Sequence, residues 1–594
     1  MESVKSDNTP VSLLQLPATA GSTTFTVFSS SVAAVSGLLL GYELCIISGT
    51  LLQLHSLLGL TCQQQELVVS ALLFGAVASS VVGGFILDRY GRRITIIVTS
   101  CLLVLGSLAL IFSVSYVILI VGRIIIGTSV SMSAVATCVY IAEIAPAQRR
   151  GFLVSLNELM IVVGILSAYI SNCIFATVTK GWQIMFGLVI PPATLQAVVM
   201  YCLPPSPRFL IKSGHSEAAA DVLEKLRAKV DIYDELDYIR ASLKEEGQYS
   251  FCDLFRSKDN MRARMLVGIF LALFVQITGQ PTILFYASTI FKSVGFHSNV
   301  AATLASVGIG VVKVMATIPA TLLVDRVGSK TFLCIGSLMM SLSLTAMALV
   351  SFQIPINFGS ICGSHGLTNH SWVNSVIHLT NNTHMNHDSK MSNFSKQASN
   401  FTSQILFASL ATTAGKKINS SWNMSAFVTL EERTTVLGKT AHTVVLEMNY
   451  VPSVFKWLSL ASLLIYVAAF SIGLGPMVWL VLSEIFPAGI RGRAMAITSS
   501  VNWGANLLIS LTFLTVIETV GLPKVLFIYA FLCLMSAIFT IMFVPNTKGQ
   551  SLEQISKQLS DRSYMKKAIC CAVTIPKTHA PSELLNNKQG SQLL

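Results

Sequence analysis

The chain has 594 residues, of which 53% are hydrophobic and only 11% charged, with a formal charge of +12 and a mean hydropathy of +0.67. Soluble proteins carry charge on about a quarter of their residues, so a soluble enzyme is excluded and a polytopic membrane protein is expected. The positive excess then belongs in cytoplasmic loops, and no recognisable module supports nucleic-acid binding.

Residues 1–25 are polar and contain no cleavable signal peptide, so they read as a cytoplasmic tail before an uncleaved first anchor. A crossing needs about 20 mostly apolar residues. Six such stretches lie near 26–50, 66–87, 94–114, 116–141, 152–175 and 182–203. Six more lie near 264–292, 299–324, 331–353, 454–482, 493–520 and 523–544. The polar segment 204–263 has helical spacing and is expected to form short cytoplasmic helices that brace two six-span halves, 26–203 and 264–544; a plain linker is the alternative. Residues 354–453 form a polar loop within the second half, and 545–594 a second cytoplasmic tail.

Short basic loops give the orientation. DRYGRR at 88–93, AQRRG at 147–151, DRVGSK at 325–330 and IRGRA at 490–494 all fall on one side, which the positive-inside rule makes the cytoplasm. The 354–453 loop is then outside. It holds the N-x-[ST] sequons Asn369, Asn381, Asn393, Asn400, Asn419 and Asn423, as glycosylation requires. Of the twelve cysteines only Cys62 and Cys362 are expected to face outside. A bridge between them stays open, because nothing in the sequence sets their separation. No CxxC spacing or other ligand set points to a metal, and no cofactor is implied.

The loops also recur in pairs. DRYGRR matches DRVGSK, EIAPAQRRG at 143–151 matches EIFPAGIRG at 484–492, and PPSPRFL from 204 matches VPNTKG from 544. Two six-span halves in parallel orientation are the repeat arrangement of the major facilitator fold, with a substrate site near the bilayer midplane. The paired loops are expected to act as cytoplasmic latches. Asp88, Arg89 and Arg92 would contact Glu143 and Arg149 in the first half. Asp325, Arg326, Glu484 and Arg491 are the matching set in the second. The plainer alternative is that these charges only set topology.

Charges within spans are costly, about 2.5–3.5 kcal/mol at a helix centre. Glu43, Arg123, Glu158 and Lys313 lie well inside spans. Glu43 and Arg123 are expected to neutralise each other. In a cavity that opens alternately such a carboxylate can exchange protons; a static ion pair is the alternative. Amides and hydroxyls concentrate in the spans that would line the cavity: Asn157 and Glu158; Gln276, Thr278, Gln280 and Thr282; Asn502 and Asn506 one turn apart. Trp479 follows the helix-breaking GLGP. Singly, each residue reads as helix-packing glue; together they suit a polyhydroxylated substrate.

GYELCIISG at 41–49, DRYGRR, GRIIIG at 122–127, YIAEIAPAQRRG, PPSPRFL, QITGQ at 276–280, GPMVW at 475–479, NWGAN at 502–506 and VPNTKG resemble, in order, the signature set of the sugar porter family. The long sequon-rich loop is similar to that of the third class of facilitative glucose transporters. The resemblance covers all the spans and implies hexose transport by alternating access. It makes Glu158, Gln276 and Asn506 partners of sugar hydroxyls and Trp479 a wall of the site. The family usually has glutamine at Glu158, a second glutamine at Val275, asparagine at Pro281 and Lys313, and glutamate at Ser471, so the choice of sugar stays open. Its proton-coupled members carry a carboxylate at the Glu43 position. Uniport and proton symport are both open.

Carriers of other polyols or of small organic anions such as urate, and a nutrient-sensing receptor without transport, are the remaining alternatives. No enzyme site is apparent. Plasma and endomembrane locations are expected. The dileucines Leu13-Leu14 and Leu593-Leu594 suit sorting adaptors, but dileucines are common by chance.

Overall fold

The computed structural model describes residues 24–113, 115–146, 149–227, 232–246, 254–255, 260–294, 298–353, 453–487 and 490–548, together with Ile555 and Leu559. All six sequons, both dileucines and Cys362 lie outside the described residues. Among the described residues, twelve helices are long and apolar enough to cross a membrane. Spans one to six are Thr24–Leu58, Cys62–Tyr90, Arg92–Ile111, Tyr116–Ile144, Phe152–Ile174 and Gly181–Cys202. Spans seven to twelve are Met261–Phe285, Asn299–Val324, Ser329–Phe352, Val454–Ile485, Arg491–Val520 and Leu522–Phe543. The protein is a multi-pass, all-helical membrane protein.

Small residues set how closely the spans approach, since lipid gives apolar side chains no reason to leave it and association relies on close packing. A Cβ on Gly41 would lie 1.9 Å from the Ile161 carbonyl, and one on Gly164 2.1 Å from that of Leu38, so spans one and five touch backbone to backbone. Gly127 and Leu72 do the same for spans four and two.

Three spans are broken, and two of them, one and ten, are longer than their apolar runs predict. Span one pauses at Ile46 and continues as Ile47–Leu58. Span ten pauses at Gly473, and Leu474–Ile485 carries Trp479. Span seven runs Met261–Ile277, turns at Gly279, resumes as Gln280–Phe285, and a further helix follows at Ala287–Val294. Gly279 has φ +98°, and a Cβ there would strike the Tyr529 ring at 2.7 Å.

The repeated glycines of DRYGRR and DRVGSK have a common role. Gly91 (φ +85°) and Gly328 (φ +96°) make the tight turns between spans two and three and between eight and nine. The segment that follows each half's last span lies on its turn: the Phe209 ring on Gly91, and the Lys548 side chain on Gly328.

Between the halves run Pro207–Lys212, Ser216–Arg227 and Tyr233–Glu246. Buried Arg227 pairs with Glu235 at 2.7 Å and donates to the Ile144 carbonyl at 2.7 Å, at the end of span four. The equivalent carbonyl at the end of span ten, Ile485, accepts from buried Arg264 at 2.9 Å. A cation on the last carbonyls of a helix satisfies groups that have no intrahelical partner. Thr26 Oγ1 also donates to the Leu226 carbonyl at 2.8 Å, so Ser216–Arg227 is held to the first half at spans one and four.

Candidate functional site

Breaks in spans seven and ten place polar groups in the middle of the bundle. Gln276, at the end of its helix segment, donates from Nε2 to Asn502 Oδ1 of span eleven at 2.8 Å, with both side chains buried. One turn along, Asn506 is also buried, and its Oδ1 accepts from Ser510 Oγ at 3.3 Å. Gln280 is buried beside the Gly279 turn, and its Oε1 has no protein partner. A buried amide oxygen without a partner is costly. Trp479 is half-buried on the helix that restarts after Gly473.

The two threonines expected at the site both donate to local backbone. Thr278 Oγ1 donates to the Phe274 carbonyl at 2.9 Å, and Thr282 Oγ1 to the Gly279 carbonyl at 2.6 Å. Their hydroxyl protons bond local backbone around the break, as hydroxyls do where a helix is interrupted.

Glu43 and Arg123 meet as expected. Glu43 is fully buried, and its Oε2 lies 3.3 Å from Arg123 Nη1, which also donates to the Glu43 carbonyl at 3.3 Å. The guanidinium carbon stands 5.8 Å from the centre of the Phe186 ring. Glu43 Oε1 and Arg123 Nε have no hydrogen-bond partner. The pair is single-toothed, and the carboxylate keeps one oxygen free for another ligand.

Glu158 in span five is half-buried, and Lys313 in span eight is buried with Nζ 4.9 Å from the centre of the Phe470 ring. The two come within electrostatic range of each other without forming an ion pair. Their helices are close: a Cβ on Gly310, one turn before Lys313, would lie 3.0 Å from Leu166 Cα. An acid of one half and a base of the other thus lie on adjacent helices.

At the end with the basic loops, Arg92 pairs with Glu143 at 3.0 Å and lies 3.7 Å from Asp88, which also meets Lys212 at 3.2 Å. These bonds stay within the first half and its linker. Arg89 lies over its neighbour Tyr90, 6.0 Å from the ring centre, and Arg149 is exposed, so neither joins the cluster. Lys212 takes the place expected of Arg149. In the second half Arg491 Nε donates to the Phe486 carbonyl at 3.2 Å, Arg326 is exposed and Glu484 half-buried. The Asp325 side chain lies outside the described residues.

At the opposite end the halves are bonded to each other. Ser48 Oγ meets Ser288 Oγ at 3.0 Å, and Ser288 Oγ meets Ser306 Oγ at 3.1 Å. Tyr169 Oη donates to the Leu284 carbonyl at 3.0 Å. Glu66 accepts from the Thr515 N–H and from Thr515 Oγ1, each at 2.8 Å. Glu66 was missed because it stands at the first residue of the expected second span. The cost of a charge in an apolar run, which singled out Glu43, applies to it equally. Cys62, one turn earlier, is disulfide-bonded, and the other described cysteines are free, so its partner lies outside the described residues.

Comparison with known proteins places these features in a family. The "Sugar (and other) transporter" family model matches residues 29–365 and 378–559. The chain is 58% identical to facilitated glucose transporter member 12 of solute carrier family 2 from Homo sapiens, over 96% of this chain and 91% of that one. It is 42% identical to member 10 from Xenopus laevis, over 91% and 94%. Among solved structures it is similar to the xylose transporter XylE from E. coli in a partially occluded, inward-open conformation. The TM-score is 0.61 at 24% identity, over 88% of this chain and 99% of that one. The expected major facilitator architecture is thereby established.

Proposed function

The chain belongs to the sugar transporter family, and from that premise we propose that its own substrate is glucose or a closely related hexose, carried between spans seven and eleven. The observation that carries this is the buried Gln276–Asn502 bond beside the unpartnered Gln280 oxygen. Such groups bind hydroxyls by exchanging one hydrogen bond for another, and a site lacking the hydroxyl would leave them unpaired. Glu158 and Lys313 balance each other's charge across the cavity, which favours a neutral hexose over an organic anion such as urate. Asn506 and Trp479 complete the site, with the aromatic face on the apolar side of the sugar ring. Alternating access then exposes the site to each side in turn.

A second reading, proton coupling, is favoured by the free Oε1 of Glu43 beside Arg123. A carboxylate with one oxygen in an ion pair and one open is suited to take up a proton when its side of the cavity is hydrated. The end bearing DRYGRR is taken as cytoplasmic with both termini, and the sequon-rich loop as outside and glycosylated. Residence at the plasma membrane and endomembranes, with adaptors on the dileucines, follows the same reading.

The test is uptake of labelled glucose into proteoliposomes holding only this protein, with and without an inward proton gradient at zero membrane potential. Gradient-dependent accumulation above equilibrium establishes symport. Equilibration alone establishes uniport. No glucose flux, with flux of an anion instead, overturns the hexose assignment.

A further inference from the structure

Glu66 stands at the beginning of span two, just after a reciprocal cap in which Thr61 Oγ1 accepts from the Gln64 N–H and Gln64 Oε1 accepts from the Thr61 N–H. The cap and the disulfide at Cys62 fix where this first turn points. Glu66 is 2% exposed, and its carboxylate accepts from the N–H and the hydroxyl of Thr515, a residue of the other half 449 positions away. Burying a carboxylate in this setting is tolerable only with full compensation. Here the compensation comes from across the interface. When the halves part at this end, Glu66 loses both donors at once and takes water instead.

Thr515 is well connected behind this contact. Tyr286, at the end of the restarted span seven, donates from Oη to the Ser510 carbonyl at 3.2 Å and lays its ring 5.1 Å from that of Phe513. The helix after Tyr286 carries Ser288, which is bonded to Ser48 of the first half. Span eleven and the restarted end of span seven are therefore joined to each other and bonded to the first half at Ser48 and at Glu66.

We propose that Glu66 is a gating residue of the transport cycle: its two hydrogen bonds to Thr515 clasp the extracellular end shut and are made only in the outward-closed state. This rests on the assignment of that end as extracellular. It does not depend on which sugar is carried. Removing the clasp shifts the resting population toward outward-open without touching the substrate site.

The test uses the full-length protein in proteoliposomes with Ser306→Cys as a reporter, labelled by a membrane-impermeant maleimide from the outer side. Glu66→Ala is expected to raise the labelling rate about tenfold, the scale of a lost hydrogen bond to a charged group. It should also weaken half-saturation for sugar on the inner side by a similar factor. Glu66→Gln keeps an acceptor for the N–H and a donor for Oγ1, and is expected to stay close to the parent. Thr515→Val removes one of the two bonds and gives a smaller rise in the same direction. Unchanged labelling in both Glu66→Ala and Thr515→Val overturns the clasp, and so does a Glu66→Gln protein that behaves like Glu66→Ala. If Glu66→Ala does not fold, unchanged labelling in Thr515→Val is sufficient to overturn it. A parent protein that labels as expected but moves no sugar would refute the proposed substrate and leave the gate assignment standing.

Discussion

The amide of Gln276 donates to Asn502 Oδ1 at 2.8 Å, joining residues 226 positions apart on spans seven and eleven. Substituting Asn502→Ala leaves that buried amide without its partner and, at the proposed site, takes away one hydroxyl partner. The half-saturation constant for hexose uptake should rise about tenfold, equivalent to about 1.4 kcal/mol. Thr278→Val is the contrast. Its hydroxyl is bonded to the Phe274 carbonyl, so uptake should change by less than about twofold. A large Thr278→Val effect on saturation would return that hydroxyl to the binding site.

Glu43→Gln should abolish gradient-driven accumulation while leaving equilibrative exchange measurable. Arg123→Ala should be worse for the fold, because it strands a fully buried carboxylate, a loss of about 3–5 kcal/mol for a broken buried pair. Thermal unfolding in detergent, read beside uptake, separates the two effects. Accumulation that survives Glu43→Gln would reduce the pair to a structural contact.

Glu158 and Lys313 lie within electrostatic range of each other, so their substitutions should not add. Glu158→Gln alone leaves a positive site and should strengthen inhibition of glucose uptake by glucuronate. Lys313→Asn alone should weaken it. The double variant should recover glucose transport better than either single one, with a coupling of about 0.5–3 kcal/mol. Strictly additive effects would mean that the two charges act separately.

Arg92 and Arg89 are neighbours in DRYGRR with different surroundings. Arg92 is 8% exposed and pairs with Glu143, whereas Arg89 faces out. Arg92→Ala should lower the melting temperature and the yield of monodisperse protein, because buried Glu143 loses its partner. Arg89→Ala and Arg149→Ala should leave both unchanged. Equal losses at all three positions would show that total loop charge matters and the specific pairing does not.

Much of the architecture was legible in the chain because its determinants are local. Hydropathy over about 20 residues reveals a span wherever it lies, and paired loops with paired glycines reveal the two halves. The GLGP sequence announced the break before Trp479. The approach of Glu43 to Arg123 was also readable, since two opposite charges in apolar spans have few other ways to be satisfied.

The rest depends on how each helix is rotated and how far it slides along its neighbours, and no local pattern encodes that. Gln276 and Asn502 share a bond because spans seven and eleven present those faces to each other, while Thr278, two residues from Gln276, turns its hydroxyl to its own backbone. Arg227 and Arg264 come from unrelated elements to satisfy equivalent carbonyls, Ile144 and Ile485. Glu66 looked like the edge of an apolar run until span eleven put Thr515 against it. The sequence by itself determined the number of spans, their pairing into halves and the inventory of costly polar groups. Only tertiary packing decided which of those groups satisfy one another and which are left without a partner, because a buried hydrogen bond is specified by distance and angle between helices rather than by position along one.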